Sequence, residues 1–307
     1  MRIVRHLTMA LWVVVLFGFG FSSGQASDRI PVAVSILPLG DFTRMIGGGR
    51  LDVRVMVPPG TSPHTYEPTP ASARMLATVR VLILNGLGLE FWAEKLIDAA
   101  NNPALVVVRT AEGLEILENE RDDEQPAGDG DRTVHSTRGN PHVWLDPINA
   151  IHQVKGIRDA IKQADPDGID VYQAHAARYI EELNHLDEEI RQTVAKFETR
   201  KLINFHAGFS YFIRRYGLEQ VAVVERTPGR EPSPKEIANI VETAKRFGIK
   251  AIFAEPQFPP KAARVIAEEC GAQVLFLNPL GDPPDFSYVE TMRRNLRQLT
   301  KAMGNGD

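Results

Sequence analysis

The chain has 307 residues, with 39 acidic and 35 basic side chains, a formal net charge of -4 and a single cysteine. That mild acidity excludes the basic footprint of a nucleic-acid binder. One thiol excludes an intramolecular disulfide, so stability has to come from apolar cores.

The chain begins like an export signal. Arg2 and Arg5 give a positive start, residues 7–21 are an apolar run, and Gly24 and Ala26 supply small side chains for cleavage. The run is about 15 residues, short of the ~20 that cross a bilayer. Residues 1–26 are therefore expected to be removed. No lipid-accepting cysteine follows, so a soluble, unanchored protein in the periplasm or outside the cell is the expectation from about Ser27 onward. The remaining chain, about 280 residues, is long enough for one large or two smaller cores.

Apolar, β-branched runs then alternate with helical stretches: 31–37, 51–57, 79–84 and 104–108, followed by 201–205, 220–224, 251–254 and 273–277. Runs this continuous read as parallel strands buried on both faces. They predict two α/β lobes, residues 27–165 and 201–307, of about four strands each. Residues 112–139 break the pattern. They are rich in Asp, Glu, Gly and Arg and carry His135, which predicts a mobile acidic loop within the first lobe.

Asp146-Pro147 predicts a capped helix start, and Ser233-Pro234-Lys235-Glu236 a capping box. In the linking segment 166–200, Tyr172, Ala176, Tyr179, Ile180, Leu183, Leu186, Ile190, Val194 and Phe197 recur at three- and four-residue intervals. This predicts one amphipathic helix of about 30 residues and about 45 Å, a stiff spine joining the lobes.

The sequence holds eight histidines. His6 lies in the signal, and His152, His175 and His185 lie in charged helical stretches, where structural or solvated roles are expected. His135, in the acidic loop, reads first as solvated, with weak metal binding and transfer inward as the alternative. Three others sit far apart in Pro- or Gly-flanked segments: His64 after Pro63, His142 after Pro141, and His206 between the strand 201–205 and Gly208. Neutral imidazoles suit first-row dications, and loops at strand ends converge on clefts. Together the three predict a metal site between the lobes. Glu255, at the end of the strand 251–254, is a candidate for orienting a histidine or for fixing the interlobe loop. Trp144 and Tyr66 read as packing residues beside the site, and Cys270 as a small buried side chain.

Five motifs occur in order: Pro63-His64-Thr65-Tyr66-Glu67-Pro68, Pro141-His142-Val143-Trp144-Leu145-Asp146-Pro147, Phe205-His206-Ala207-Gly208-Phe209, Ala254-Glu255-Pro256-Gln257-Phe258 and Leu277-Asn278-Pro279-Leu280-Gly281. In these the chain resembles the metal-binding solute receptors of zinc and manganese ABC importers, cluster A-I. The resemblance covers nearly the whole mature chain. It implies two α/β lobes joined by a long helix, with a divalent ion captured in the interlobe cleft for a membrane permease and its cytoplasmic ATPase.

Carried over by motif, the metal ligands are His64, His142 and His206, with Asn278 in the fourth position. Histidine at the third position points to Zn2+ as the transported ion, with Mn2+ or Fe2+ as alternatives. Zinc receptors often carry a histidine-rich acidic insertion where residues 112–139 stand, but with one histidine this loop implies little metal scavenging. The family commonly has aspartate in the fourth position. An amide is a poorer ligand for a dication, so water, the Asn278 oxygen, Glu67 or Asp282 are all open as the fourth contact. Because ligands bind deprotonated, affinity is expected to fall as pH drops through about 6 to 7. The protein is expected to be a monomer.

Two rival classes fit the sequence less well. A zinc hydrolase would use the His64-x-x-Glu67 pair, but the same spacing recurs at His185 to Glu188, and a His-Glu-x-x-His pattern is lacking. Glu67, held ahead of Pro68, is poorly placed as a general base. A surface adhesin fits poorly with the missing lipid anchor.

Overall fold

A computed structural model describes residues 29–118, 139–283 and 286–304. The expected export signal with His6, and most of the acidic loop with His135, lie outside the described residues. Among the described residues no helix is long and apolar enough to cross a membrane.

The first sheet is built from β1 (Ile30–Val34), β2 (Leu51–Val55), β3 (Val81–Leu84) and β4 (Val106–Arg109), in the order β2-β1-β3-β4. The second contains β5 (Lys201–Asn204), β6 (Glu219–Val223), β7 (Ala251–Ala254) and β8 (Gln273–Phe276), in the order β6-β5-β7-β8. Every pairing is parallel. All eight predicted strands are present, and the all-apolar β3 and β7 are fully buried, as strands covered on both faces must be.

Around the first sheet lie α1 (Leu37–Gly47), α2 (Pro70–Leu76), α3 (Ala93–Ala100) and α4 (Pro147–Ala164). The predicted strand 31–37 is shorter than expected because Pro38 stands in the first turn of α1, so the apolar run changes from strand to helix at Ile36. Helix α4 starts as predicted: the Asp146 carboxylate accepts a bond from the Ile148 N–H at 2.9 Å, with Pro147 in the first turn. The second lobe carries α6 (Ser210–Tyr216), α7 (Pro234–Phe247) and α8 (Lys261–Cys270), and α7 opens with the predicted Ser233/Glu236 capping box. Cys270 is partly rather than fully buried.

The spine is α5, Ile169–Val194, 26 residues long. Its buried face follows the predicted one, from Tyr172 through Leu183 to Val194, except that Ile180 is only partly buried at its edge. Phe197 is also buried, but it lies past the helix, in a turn held by the Glu198 N–H bonded to the Met303 carbonyl at 2.8 Å. A second brace was not anticipated. The last helix, α9 (Tyr288–Met303), returns to pack on α5 and α1. The Asp41 carboxylate in α1 accepts both the Tyr179 hydroxyl of the spine and the Tyr288 N–H of α9, each at 3.0 Å, and burial pushes its pKa up. One apolar core accordingly runs from the first sheet through α5 and α9 to one face of the second sheet, while a separate core fills the space under α7 and α8.

Candidate metal centre

His64 sits in the loop between β2 and α2, where the Thr65 N–H bonds back to the Ser62 carbonyl at 3.3 Å. Pro63 and Pro68 stiffen this loop, and His64 as a residue is half-buried. His142 precedes a short turn, Val143–Leu145, leading into α4, and His206 is the second residue beyond β5. Both are only 4 % exposed.

The three rings meet. The Nε2 atoms of His64 and His142 are 3.0 Å apart, those of His142 and His206 are also 3.0 Å apart, and all three donor nitrogens lie within 4.8 Å of one another. Four nitrogens at 2.0–2.1 Å from a tetrahedral zinc would be about 3.3 Å apart. The space beside them, about 10 Å³, is that of a single ion or water and is lined by Trp144, Phe258, Pro279 and Leu280. Larger cavities of about 220 Å³ lie along β6 and α7 and between Glu115 and Arg214, away from the histidines.

The far side of two rings decides which nitrogen is free. His142 Nδ1 is 2.8 Å from Asn140 Oδ1, and the same oxygen accepts the His142 backbone N–H at 3.0 Å. The Asn140 Nδ2 group donates to the Ala207 carbonyl at 2.6 Å, which fixes the amide's orientation. His206 Nδ1 is 2.5 Å from Glu255 Oε1. Since an amide oxygen and a carboxylate only accept, both Nδ1 atoms donate, and both Nε2 atoms keep their lone pairs. Lone pairs facing each other at 3.0 Å repel unless a cation lies between them. The set fits a borderline-soft dication such as zinc.

His206 and Glu255 come together through sheet topology. β5 and β7 are adjacent and parallel, with Ile203 opposite Ile252, so each residue lies three positions beyond that pair, at the carboxyl ends of neighbouring strands. Gly208 permits the geometry. A Cβ at that position would lie 2.8 Å from His206 Cε1 and 3.0 Å from Nε2. Of the two roles foreseen for Glu255, histidine partner is the one observed.

Burial, reinforced by His206, lowers the His64 pKa to about 3, and burial likewise holds His142 well below the ordinary imidazole value. Desolvation disfavours their charged forms, so proton competition for them moves to lower pH.

Asn278 is placed differently from the expectation. Its Oδ1 accepts from Gln257 Nε2 at 3.0 Å, the Leu280 N–H at 3.1 Å and the Gly281 N–H at 2.9 Å, while its Nδ2 donates to Asp282 at 3.0 Å. The amide organises its own turn, and its oxygen has no lone pair left to give an ion. Glu67 is exposed, and neither Glu67 nor Asp282 belongs to the ligand group. His152 and His175 have the structural roles foreseen, bonding the carbonyls of Glu112 and Ile46, and His185 is exposed. Asn140 was missed. Its signal was an Asn two residues before the histidine, a spacing at which one side-chain oxygen can reach both backbone and ring.

Residues 32–302 match the family model described as zinc-uptake complex component A, periplasmic. The chain belongs to this family. It is 29 % identical over 288 residues to the high-affinity zinc uptake system protein ZnuA of Bacillus subtilis, covering 92 % of this chain and 90 % of that protein. To the zinc-binding lipoprotein AdcA of Streptococcus pneumoniae it is 27 % identical over 281 residues, but it spans only 56 % of that protein's length. Among solved structures, a crystal structure of ZnuA superposes with a TM-score of 0.79 at 32 % identity, covering 90 % of this chain and 99 % of that one. The laminin-binding protein Lmb of Streptococcus agalactiae, described as having adhesin and metal-transporting activity, superposes with a TM-score of 0.76 at 28 % identity, covering 89 % of this chain and 99 % of that one.

Proposed function

We propose that this protein is an exported receptor that captures one divalent metal ion, zinc before manganese or iron, and delivers it to an ABC permease and its ATPase. The observation that carries this reading is the convergence of three imidazole nitrogens on a space the size of one ion, with the rings of His142 and His206 turned by their own partners. His64, His142 and His206 are the proposed ligands. An all-nitrogen set favours zinc over harder manganese. The kinship with zinc-uptake and zinc-binding proteins supports the same cargo.

In this reading residues 1–26 direct export and are removed, and the mature chain acts in the periplasm as a monomer. The first lobe runs to residue 165, the linking segment spans 166–200, and the second lobe begins at 201. The protein performs no reaction on its cargo. Burial keeps His64 and His142 neutral and ready to coordinate, Trp144 and Phe258 limit water, and the lobes present the loaded form to the permease.

Titration calorimetry of the metal-free mature protein with Zn2+ tests the proposal. One ion per chain, lost in the triple variant His64→Ala, His142→Ala and His206→Ala, is the expected result. A stoichiometry unchanged in that variant would overturn the assignment.

A further inference from the structure

The three ligands proposed above are neutral, yet the ion they would hold carries two positive charges. A buried carboxylate stands directly behind one of them. Glu255 is 2 % exposed, its Oε1 accepts from His206 Nδ1 at 2.5 Å, and its Oε2 is buried without a hydrogen-bond partner among the described residues. An unsatisfied carboxylate oxygen in so dry a place is costly unless positive charge arrives nearby. Its other oxygen already grips the ring that would carry that charge. His142, by contrast, is backed by the neutral amide of Asn140.

Resting on the functional reading above, we propose that Glu255 is a positioning residue for metal capture, holding His206 with its proton on Nδ1 and placing one compensating negative charge a single hydrogen bond behind the ligand. Glu255 does not itself reach the ion, because its oxygens fall outside the group of donors that converge. It acts through the ring. A carboxylate behind an imidazole fixes the tautomer and raises the basicity of the opposite nitrogen. Glu255 thereby supplies charge that the Asn278 amide, turned to its own loop, does not.

Two substitutions separate orientation from charge. E255A removes both, and E255Q keeps the size and an accepting oxygen while removing the charge. By the usual effect of such outer partners, zinc affinity is expected to fall by about 10- to 100-fold in E255A and by about tenfold in E255Q. The electronic spectrum of the Co2+-loaded protein is expected to shift in both.

The second readout needs neither a variant nor bound metal. Nitrogen-15 NMR of the metal-free wild type should find the His206 proton on Nδ1. A proton on Nε2, or affinities in both variants within about twofold of wild type, would overturn the proposal. If the wild type bound no zinc, the receptor reading would fail, and the His206 tautomer would still decide the role of Glu255.

Discussion

The mounts of His142 and His64 differ more than their shared site suggests. The segment before α4 is bonded to both lobes: Asn85 Nδ2 donates to the Pro141 carbonyl at 2.8 Å, the Tyr211 hydroxyl to the Asn140 carbonyl at 2.8 Å, Trp144 Nε1 to the Pro279 carbonyl at 2.8 Å, and the Tyr288 hydroxyl to the Trp144 carbonyl at 2.7 Å. Arg215 of α6 adds an ion pair to Asp146 at 2.7 Å. The loop of His64 is stiffened by prolines and short turns of its own, and His64 is the more exposed residue. One wall of the site is thus built into the seam between the lobes, and the other is a local loop laid over it. Buried, mutually bonded groups hold geometry before an ion arrives, which lowers the ordering cost of binding.

The sharpest way to break this comparison is to remove one ring from each wall. His142→Ala is expected to lower zinc affinity by more than about a hundredfold, exceeding the usual effect of an outer partner. His64→Ala is expected to cost less, because the oriented pair His142 and His206 persists. Calorimetry under identical conditions checks the order, and a larger loss at His64 would reverse the assignment of the walls.

Asn140→Ala comes next. It removes the acceptor behind His142 and the bond to the Ala207 carbonyl, with an expected loss of about 10- to 100-fold. The same loss should not accompany removal of the His175 contact to Ile46, which lies outside the site.

The two walls can also be compared by pH. His64 and His142 have folded-state pKa values below the unfolded value of about 6.5, so the unfolded chain binds more protons as pH falls below it. The contribution of these residues to stability is therefore complete above that value and is lost progressively as pH falls towards their folded values, about 3 for His64. Thermal melts of the metal-free protein between pH 7 and pH 4 should show a decline that is reduced in His142→Asn. An identical decline in the variant would remove His142 as a cause.

The smallest effect is expected at the position where the family resemblance implied a fourth ligand. Asn278→Asp places a carboxylate beside Asp282 and keeps the three accepted N–H bonds, so zinc affinity should change by less than about threefold, 0.7 kcal/mol. A large gain would mean that the side chain turns into the site.

The elements were legible because their signals are local. Eight apolar runs became eight strands, and the spine's three- and four-residue spacing marked its buried face. Errors arose where a distant partner decided the outcome. The apolar period continues to Phe197, but a bond from Glu198 to Met303 in α9 accompanies an earlier helix end. The return of α9 across both lobes has no local signature, since its apolar face alone does not name the helix it will meet.

By itself, the chain order of residues determined two parallel α/β units, the helix between them and three imidazoles on strand-end or proline-held loops. Side-chain period and backbone restriction are properties of neighbours in sequence, and those determined them. Only the tertiary structure decided which nitrogen of His206 faces inward, that Glu255 rather than Asn278 stands behind the site, and that His142 belongs to the seam. Those outcomes depend on strand crossovers that bring β5 beside β7, and on hydrogen bonds between groups more than forty residues apart.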